Sequence, residues 1–133
     1  LGILTKFVAT VFVLIMVFVG IYLVLAFPRA AIDFSVSFAV GADREEKEFE
    51  VPFWHDRVQI QVIVEGGSAL WRGRILDSDK NEVWEHMKAQ GEQTSYTSDW
   101  IDLPSGRYNF TFGTRGFGDL QANVKVTTKG GFW

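Results

Sequence analysis

The chain has 133 residues, a net charge of −3 at pH 7 and no cysteine, with 47% hydrophobic and 15% aromatic side chains. The lack of cysteine excludes disulfides, thiolate metal sites and cysteine nucleophiles. The mildly acidic balance and the lack of basic runs argue against nucleic acid and against a polybasic lipid-binding arm.

Residues 7–27, FVATVFVLIMVFVGIYLVLAF, carry no charge and nothing more polar than Thr10 and Tyr22. At a rise of 1.5 Å per residue, about 21 residues make a helix of about 31 Å, the hydrocarbon thickness of a bilayer. The run is longer than the apolar core of a cleaved signal peptide, about 7–15 residues, and it lacks the polar face of a helix packed in a small soluble protein. Its many Val and Ile do not argue against a helix, because in hydrocarbon each backbone N–H and C=O must be satisfied within the segment. Lys6 and Arg29 leave the positive-inside count nearly balanced. The chain order, an apolar segment ahead of a whole domain, is that of an uncleaved signal-anchor and places the domain outside the cytoplasm, periplasmic or extracellular. Residues 1–29 are thus a single transmembrane anchor, and 30–133 form one soluble domain with its own core. Gly20 and Ala26 offer small-residue contacts to a neighbouring helix.

Pro28 ends the span, since it lacks an N–H and biases Phe27 away from helical angles. The period then changes to two. Residues 33–40 alternate Phe34, Val36, Phe38 and Val40 against Asp33, Ser35, Ser37 and Ala39. Residues 41–47 read as a charged turn, after which Phe49, Val51 and Phe53 continue the inward set, with Pro52 marking an edge strand. Trp54, His55 and Asp56 make a corner. Residues 58–65, VQIQVIVE, carry the strongest strand pattern, closed by Gly66 and Gly67. Further strands are expected over 69–76, 82–86, 96–103, 107–112 and 120–126, separated by the polar turn 77–81, a loop over 87–94, the Pro104-Ser105-Gly106 turn and the loop 113–118. About eight short strands without a second amphipathic helix predict an all-β antiparallel sandwich behind the transmembrane helix.

Few residues propose chemistry. Asp77-Ser78-Asp79-Lys80-Asn81 has the first oxygen positions of a calcium loop but places Glu82 where the bend needs Gly and Lys88 where a bidentate Glu is required. A turn bonding its own backbone is the expectation, and calcium held jointly by Asp99, Asp102 and Asp119 is left open. His55 and His86 stand at a corner and a strand end and read as surface imidazoles. No strained Gly-x-Ser-x-Gly elbow is present, and the glycines of GTRGFG lack the following helix of a phosphate cradle. No catalytic set, metal site or cofactor site emerges, and no small-molecule substrate is expected. Of five Trp, Trp71 and Trp100 are expected in the core, and Trp54 and Trp84 are weak candidates for ligand stacking. The terminal Gly130-Gly131-Phe132-Trp133 presents two large apolar side chains, and Phe132 and Trp133 are candidate partner contacts.

The stretches LWRGRILDSDKNEVWE (70–85) and DWIDLPSGRYNFTFGTRGFGDLQANVKV (99–126) resemble the strand-turn-strand, Pro-Gly-Tyr and closing-strand pattern of secreted jelly-roll-like sandwiches, the pre-peptidase C-terminal and GOLD domains among them. The likeness covers about half the chain and implies a fold, not a function. Two functions fit the whole. One is a non-catalytic accessory subunit of a larger membrane complex, respiratory or photosynthetic for instance, partnered by lipid and by other membrane subunits. The other is a membrane-tethered module for a carbohydrate, cell-wall polymer or surface-layer protein.

Overall fold

The computed structural model describes residues 2–38, 44–67, 70–87, 95–115 and 119–131. The apolar run forms α1 (Gly2–Leu25), a helix of 24 residues, none of them buried by the rest of the chain. Its internal hydroxyl, Thr10, donates back to the Lys6 carbonyl at 2.8 Å, so the polar group does not stand unpaired on an apolar surface. The molecule exposes 8632 Å², against about 7,000 Å² for a compact chain of this mass. The excess reflects a helix that stands outside the globule. Its last turn tightens, with Ala26 N–H on Tyr22 O at 2.8 Å and Phe27 N–H on Val24 O at 3.3 Å, and Pro28 stops it.

Nine strands follow among the described residues. β1 (Arg29–Phe38) begins directly after Pro28, and β2 (Arg44–Val51), β3 (Arg57–Gly67), β4 (Leu70–Leu76) and β5 (Glu82–Met87) succeed it. β6 (Ser95–Thr97), β7 (Ile101–Asp102), β8 (Gly106–Arg115) and β9 (Leu120–Lys129) complete the chain. One antiparallel sheet has the order β1-β9-β3-β6, with β7 also on β3, and the other has the order β2-β8-β4-β5. Apart from the β4–β5 hairpin and the β6–β7 pair, successive strands cross between the two sheets in the double Greek-key manner of a jelly roll.

The alternation read from the sequence is the burial observed. Val58, Ile60 and Val62 of β3 and Leu120, Ala122, Val124 and Val126 of β9 point inward, facing Trp71, Ile75, Phe110 and Phe112 of the opposite sheet. Phe110 is fully buried, edge-on to Phe34 at 6.2 Å and stacked on Trp84 at 6.3 Å. The two turns expected to close on themselves do so. Asp77 accepts the Asp79 and Asn81 amides on Oδ1 at 2.9 and 2.8 Å. After Pro104-Ser105, Gly106 takes φ +151, where a side chain would be strained, and Tyr108 Oη donates to Pro104 O at 2.6 Å. Burial, and then the charge of Asp77, push the Tyr108 phenol above its ordinary value.

Four expectations need correction. The charged stretch ending at Lys47 is not all turn: residues 44–47 belong to β2, an edge strand. There Lys47 lies over the Phe34 ring at 5.8 Å and pairs with Glu45 at 3.4 Å, charges that an edge accommodates and that guard it against pairing with another chain. Phe53 does not continue the inward set but is 89% exposed. The strand expected over 96–103 is split, because the Ser98 side chain takes the place of a ladder partner: Ser98 Oγ accepts the Ile60 amide at 2.9 Å and donates to Asp99 O at 2.9 Å. Trp100 consequently lies half-buried under Lys129, whose Nζ is 4.3 Å from its ring, rather than in the core.

Replacing Phe110 with Ala removes a fully buried ring and is expected to cost about 3–5 kcal/mol, a large part of the roughly 5–15 kcal/mol that holds a domain of this kind. Val83→Ala, at an exposed site, should shift stability by less than about 0.5 kcal/mol. Equal denaturation midpoints for the two variants would contradict this core assignment.

Candidate functional site

The site is the joint between α1 and the base of the sandwich. α1 ends without a cap of its own: its last turn has no basic residue, and Ala26-Phe27-Pro28 supply no C-terminal Gly. The orphan carbonyls of a helix end need donors from elsewhere. The domain provides them. Between β2 and β3 the chain makes a tight turn, closed by His55 N–H on Pro52 O at 2.9 Å, which turns Phe53 outward and folds His55 inward.

His55 is 1% exposed, not the surface imidazole expected. Its Nε2 lies 2.6 Å from the Leu25 carbonyl and its Nδ1 lies 2.7 Å from Thr128 Oγ1. A carbonyl only accepts, so Nε2 carries a proton and donates to Leu25 O, while Nδ1 and the Thr128 hydroxyl share the second hydrogen bond. Beside this bridge Gly130 N–H donates to Ala26 O at 2.9 Å. A Cβ at Gly130 would stand 2.5 Å from the Ala26 Cβ and 2.9 Å from Trp54 O, so only glycine permits the approach. The turn is tied further by Asp56 N–H on Lys129 O at 3.1 Å and Leu103 N–H on Asp56 O at 2.9 Å. Next to the joint opens a groove of about 340 Å³, lined by Phe18, Ile21, Tyr22 and Leu25 of α1 and by residues 53–56.

The expected site residues distribute as follows. Ala26, read as a contact for neighbouring helices, is fully buried by its own chain because Gly130 covers it. Gly20 lies on the uncovered flank of α1, in a groove of about 480 Å³ with Val17, Ile21, Val24 and Leu25. Trp54 is half-buried at the joint, its ring edge-on to His55 at 6.5 Å. Trp84 is half-buried in the sandwich and stacks on Phe110, Tyr96 and His86. His86 is likewise half-buried, its ring 3.7 Å from that of Tyr96. Phe132 and Trp133 lie outside the described residues. Asp102 faces Arg57 at 3.6 Å near the start of β3, whereas Asp119 precedes β9, whose first residue pairs at the other end of β3, so the two do not converge.

Elsewhere the charges pair with one another. On the outer face of the second sheet Arg72 Nη2 bonds Glu85 at 2.7 Å, and Arg74 lies 3.5 Å from Glu82. The hydrogen bond shared by the two carboxyls raises Glu82 and lowers Glu85, the latter helped by Arg72. Among the described residues no group of three or more His, Asp or Glu is placed to hold a metal ion.

Sequence reasoning missed His55 and Gly130. One signal pointed to them: a long apolar helix with no cap at its C-terminal end requires a donor from the domain that follows.

No family model matches the chain, and no curated protein matches it. Among solved structures, the insecticidal delta-endotoxin Cry8Ea1 from Bacillus thuringiensis aligns with a TM-score of 0.37 and 11% identity over 69% of this chain and 19% of its own. The structure of the Gx strain of infectious bursal disease virus aligns with a TM-score of 0.37 and 11% identity over 79% of this chain and 32% of its own. The chain thus spans less than a third of either protein.

His55→Ala strands the Leu25 carbonyl and the Thr128 hydroxyl, each at about 1–3 kcal/mol, and should unlock the joint before it unfolds the sandwich. Hydrogen exchange is expected to speed up at Gly130, whose amide bonds Ala26, and to stay slow at Ile60 and Val62. Gly130→Ala should reproduce the pattern by a steric route. Unchanged exchange at Gly130 in both variants would contradict the latch.

Proposed function

We propose that this protein is a non-catalytic accessory subunit of a larger membrane assembly, anchored by α1 as a single span, with the sandwich capping that assembly on the periplasmic or extracellular side. The observation that carries the reading is a contrast within the molecule. α1 is apolar from Phe7 to Leu25 and none of its residues is buried by the rest of the chain, yet its end is joined to the sandwich by His55, Ala26 and Gly130. An uncovered apolar helix calls for lipid or partner helices around it, and a fixed joint holds the cap at one angle over them. No charged residue lies within residues 7–27, so the span itself offers no ion or proton path. The notch at Gly20 is where a partner helix would approach.

The binding-module reading draws less support. It would be favoured by an exposed, coplanar pair of aromatic rings, whereas Trp71 is buried and Trp54, Trp84 and Trp100 are half-buried. The likeness to pre-peptidase C-terminal or GOLD domains enters the proposal as a sandwich architecture alone and lends it no activity.

Extraction from the native membrane in a mild detergent, followed by size-exclusion chromatography, tests the proposal. Stoichiometric co-migration with a large membrane complex is expected. Gly20→Leu should reduce the complex-bound fraction about tenfold, in keeping with the 1–2 kcal/mol scale of close helix contacts. Migration of the unaltered chain alone, as a small detergent-bound particle, would overturn the accessory role.

A further inference from the structure

We infer that the Phe53–Trp54 corner is a lipid-docking element, which inserts Phe53 into the boundary between acyl chains and headgroups on the side of the bilayer where α1 emerges. The inference rests on the reading of α1 as a membrane span.

Phe53 is 89% exposed, while the other exposed large apolar side chains described in the sandwich, Ile63, Val83 and Met87, lie between 38% and 43%. Its exposure is built in rather than incidental. The Pro52–His55 hydrogen bond closes the turn that presents it, and the His55 bridge to Leu25 and Thr128 fixes that turn against the helix. The corner therefore cannot retract its ring without breaking the joint.

The depth follows from the groove. Phe53 and Trp54 line the same space as Phe18, Ile21, Tyr22 and Leu25. Phe18 precedes Leu25 by about two turns, about 10 Å along the axis. A side chain that shares a groove with Phe18 and Ile21 lies beside the membrane-embedded part of the helix, not above it. The chemistry of the groove also changes in the order of a leaflet. Phe18 and Ile21 are purely apolar, Tyr22 combines a ring with a polar tip, and Asp56 at the other end of the corner is charged and exposed. Tyr and Trp favour the membrane–water interface for this amphipathic reason. A protein partner in the groove would not require that graded order, which matches a lipid surface.

The chain has no cysteine, so a single introduced thiol can report position. The full-length protein carrying Phe53→Cys, Ser37→Cys or Val13→Cys is labelled with an environment-sensitive fluorophore. It is then reconstituted into vesicles of phosphatidylcholine and phosphatidylglycerol and exposed either to iodide in the water or to lipids with a nitroxide near the headgroup. Ser37, exposed on β1, lies eight residues from Arg29, about 26 Å along the strand, and serves as the aqueous reference. Val13 reports the helix centre. The expected result is that the label at position 53 is quenched by the nitroxide lipid and is about tenfold less accessible to iodide than the label at position 37, the scale set by partitioning of a Phe-sized apolar group. Equal iodide access at positions 53 and 37, with position 13 protected, overturns the docking element and leaves the span intact. Iodide access at position 13 overturns the span and the docking with it. Protection of position 53 in native membranes but not in vesicles of pure lipid replaces lipid with a protein partner and overturns the proposal.

Discussion

The molecule depends on a small set of hydrogen bonds at the point where α1 stops. A helix end leaves carbonyls without intrahelical donors, and beside an apolar surface water cannot be relied on to satisfy them, so each left unpaired costs several kcal/mol by the usual reckoning. α1 brings no cap with it. The Leu25 carbonyl is met by His55 Nε2 and the Ala26 carbonyl by the Gly130 amide. The cap of the helix is therefore the sandwich itself, and the two parts of the chain meet through buried groups rather than through a linker. Only Ala26, Phe27 and Pro28 separate α1 from β1, and Pro28 removes one more rotatable backbone angle.

The jelly-roll wrapping explains why residues so distant in sequence reach this place. β1 leaves the helix, and β9 lies antiparallel beside it with Arg29 opposite Thr128. The end of β9 must therefore return to the start of β1, which is the end of α1. β3 lies on the other side of β9 with Arg57 opposite Lys129, so the turn that precedes β3 also arrives there. Thr128, Gly130 and the Pro52–Asp56 turn converge because two strand registers agree. Their side chains are then suited to the meeting: a ring that can donate and accept at once, a hydroxyl that can donate, and a residue with no Cβ where 2.5 Å is all that remains.

Most of the architecture was legible in the sequence because it is written in local periods. An unbroken apolar run gives the helix, and alternation gives β3, β8 and β9, with Asp77 and Pro104-Ser105-Gly106 naming their turns. What escaped reading depends on partners far along the chain. Parity alone sends Phe53 inward after Phe49 and Val51. The turn at Pro52 reverses it, and that turn is held by His55 through partners 30 and 73 residues away. Ala26 has the look of a helix-packing residue until Gly130 is brought over it. The interruption between β6 and β7 arises from one hydroxyl, Ser98, answering the backbone of β3, which no hydropathy pattern records. The turn motifs behind the likeness to pre-peptidase C-terminal and GOLD domains are of the kind that many sandwiches need, so they report architecture and leave the family open.

The stiffness of the joint bears on which use of the fold is the better proposal. A tethered module that searches for a polymer or a glycan gains from a long, flexible linker, which lets the domain sample a volume set by the linker's reach. This chain has almost no linker, and the joint it has is closed by a buried histidine and a glycine that admits no substitute. Such a joint sacrifices reach for a fixed orientation relative to the helix. A fixed orientation is of use when the surface to be met lies beside the helix at a set height, as the face of an assembly does, and when the base of the domain rests on the bilayer around it. The geometry of the joint thus argues for a cap over a neighbour rather than a probe for a distant ligand, and it makes the angle between α1 and β1 the quantity on which the proposed role turns.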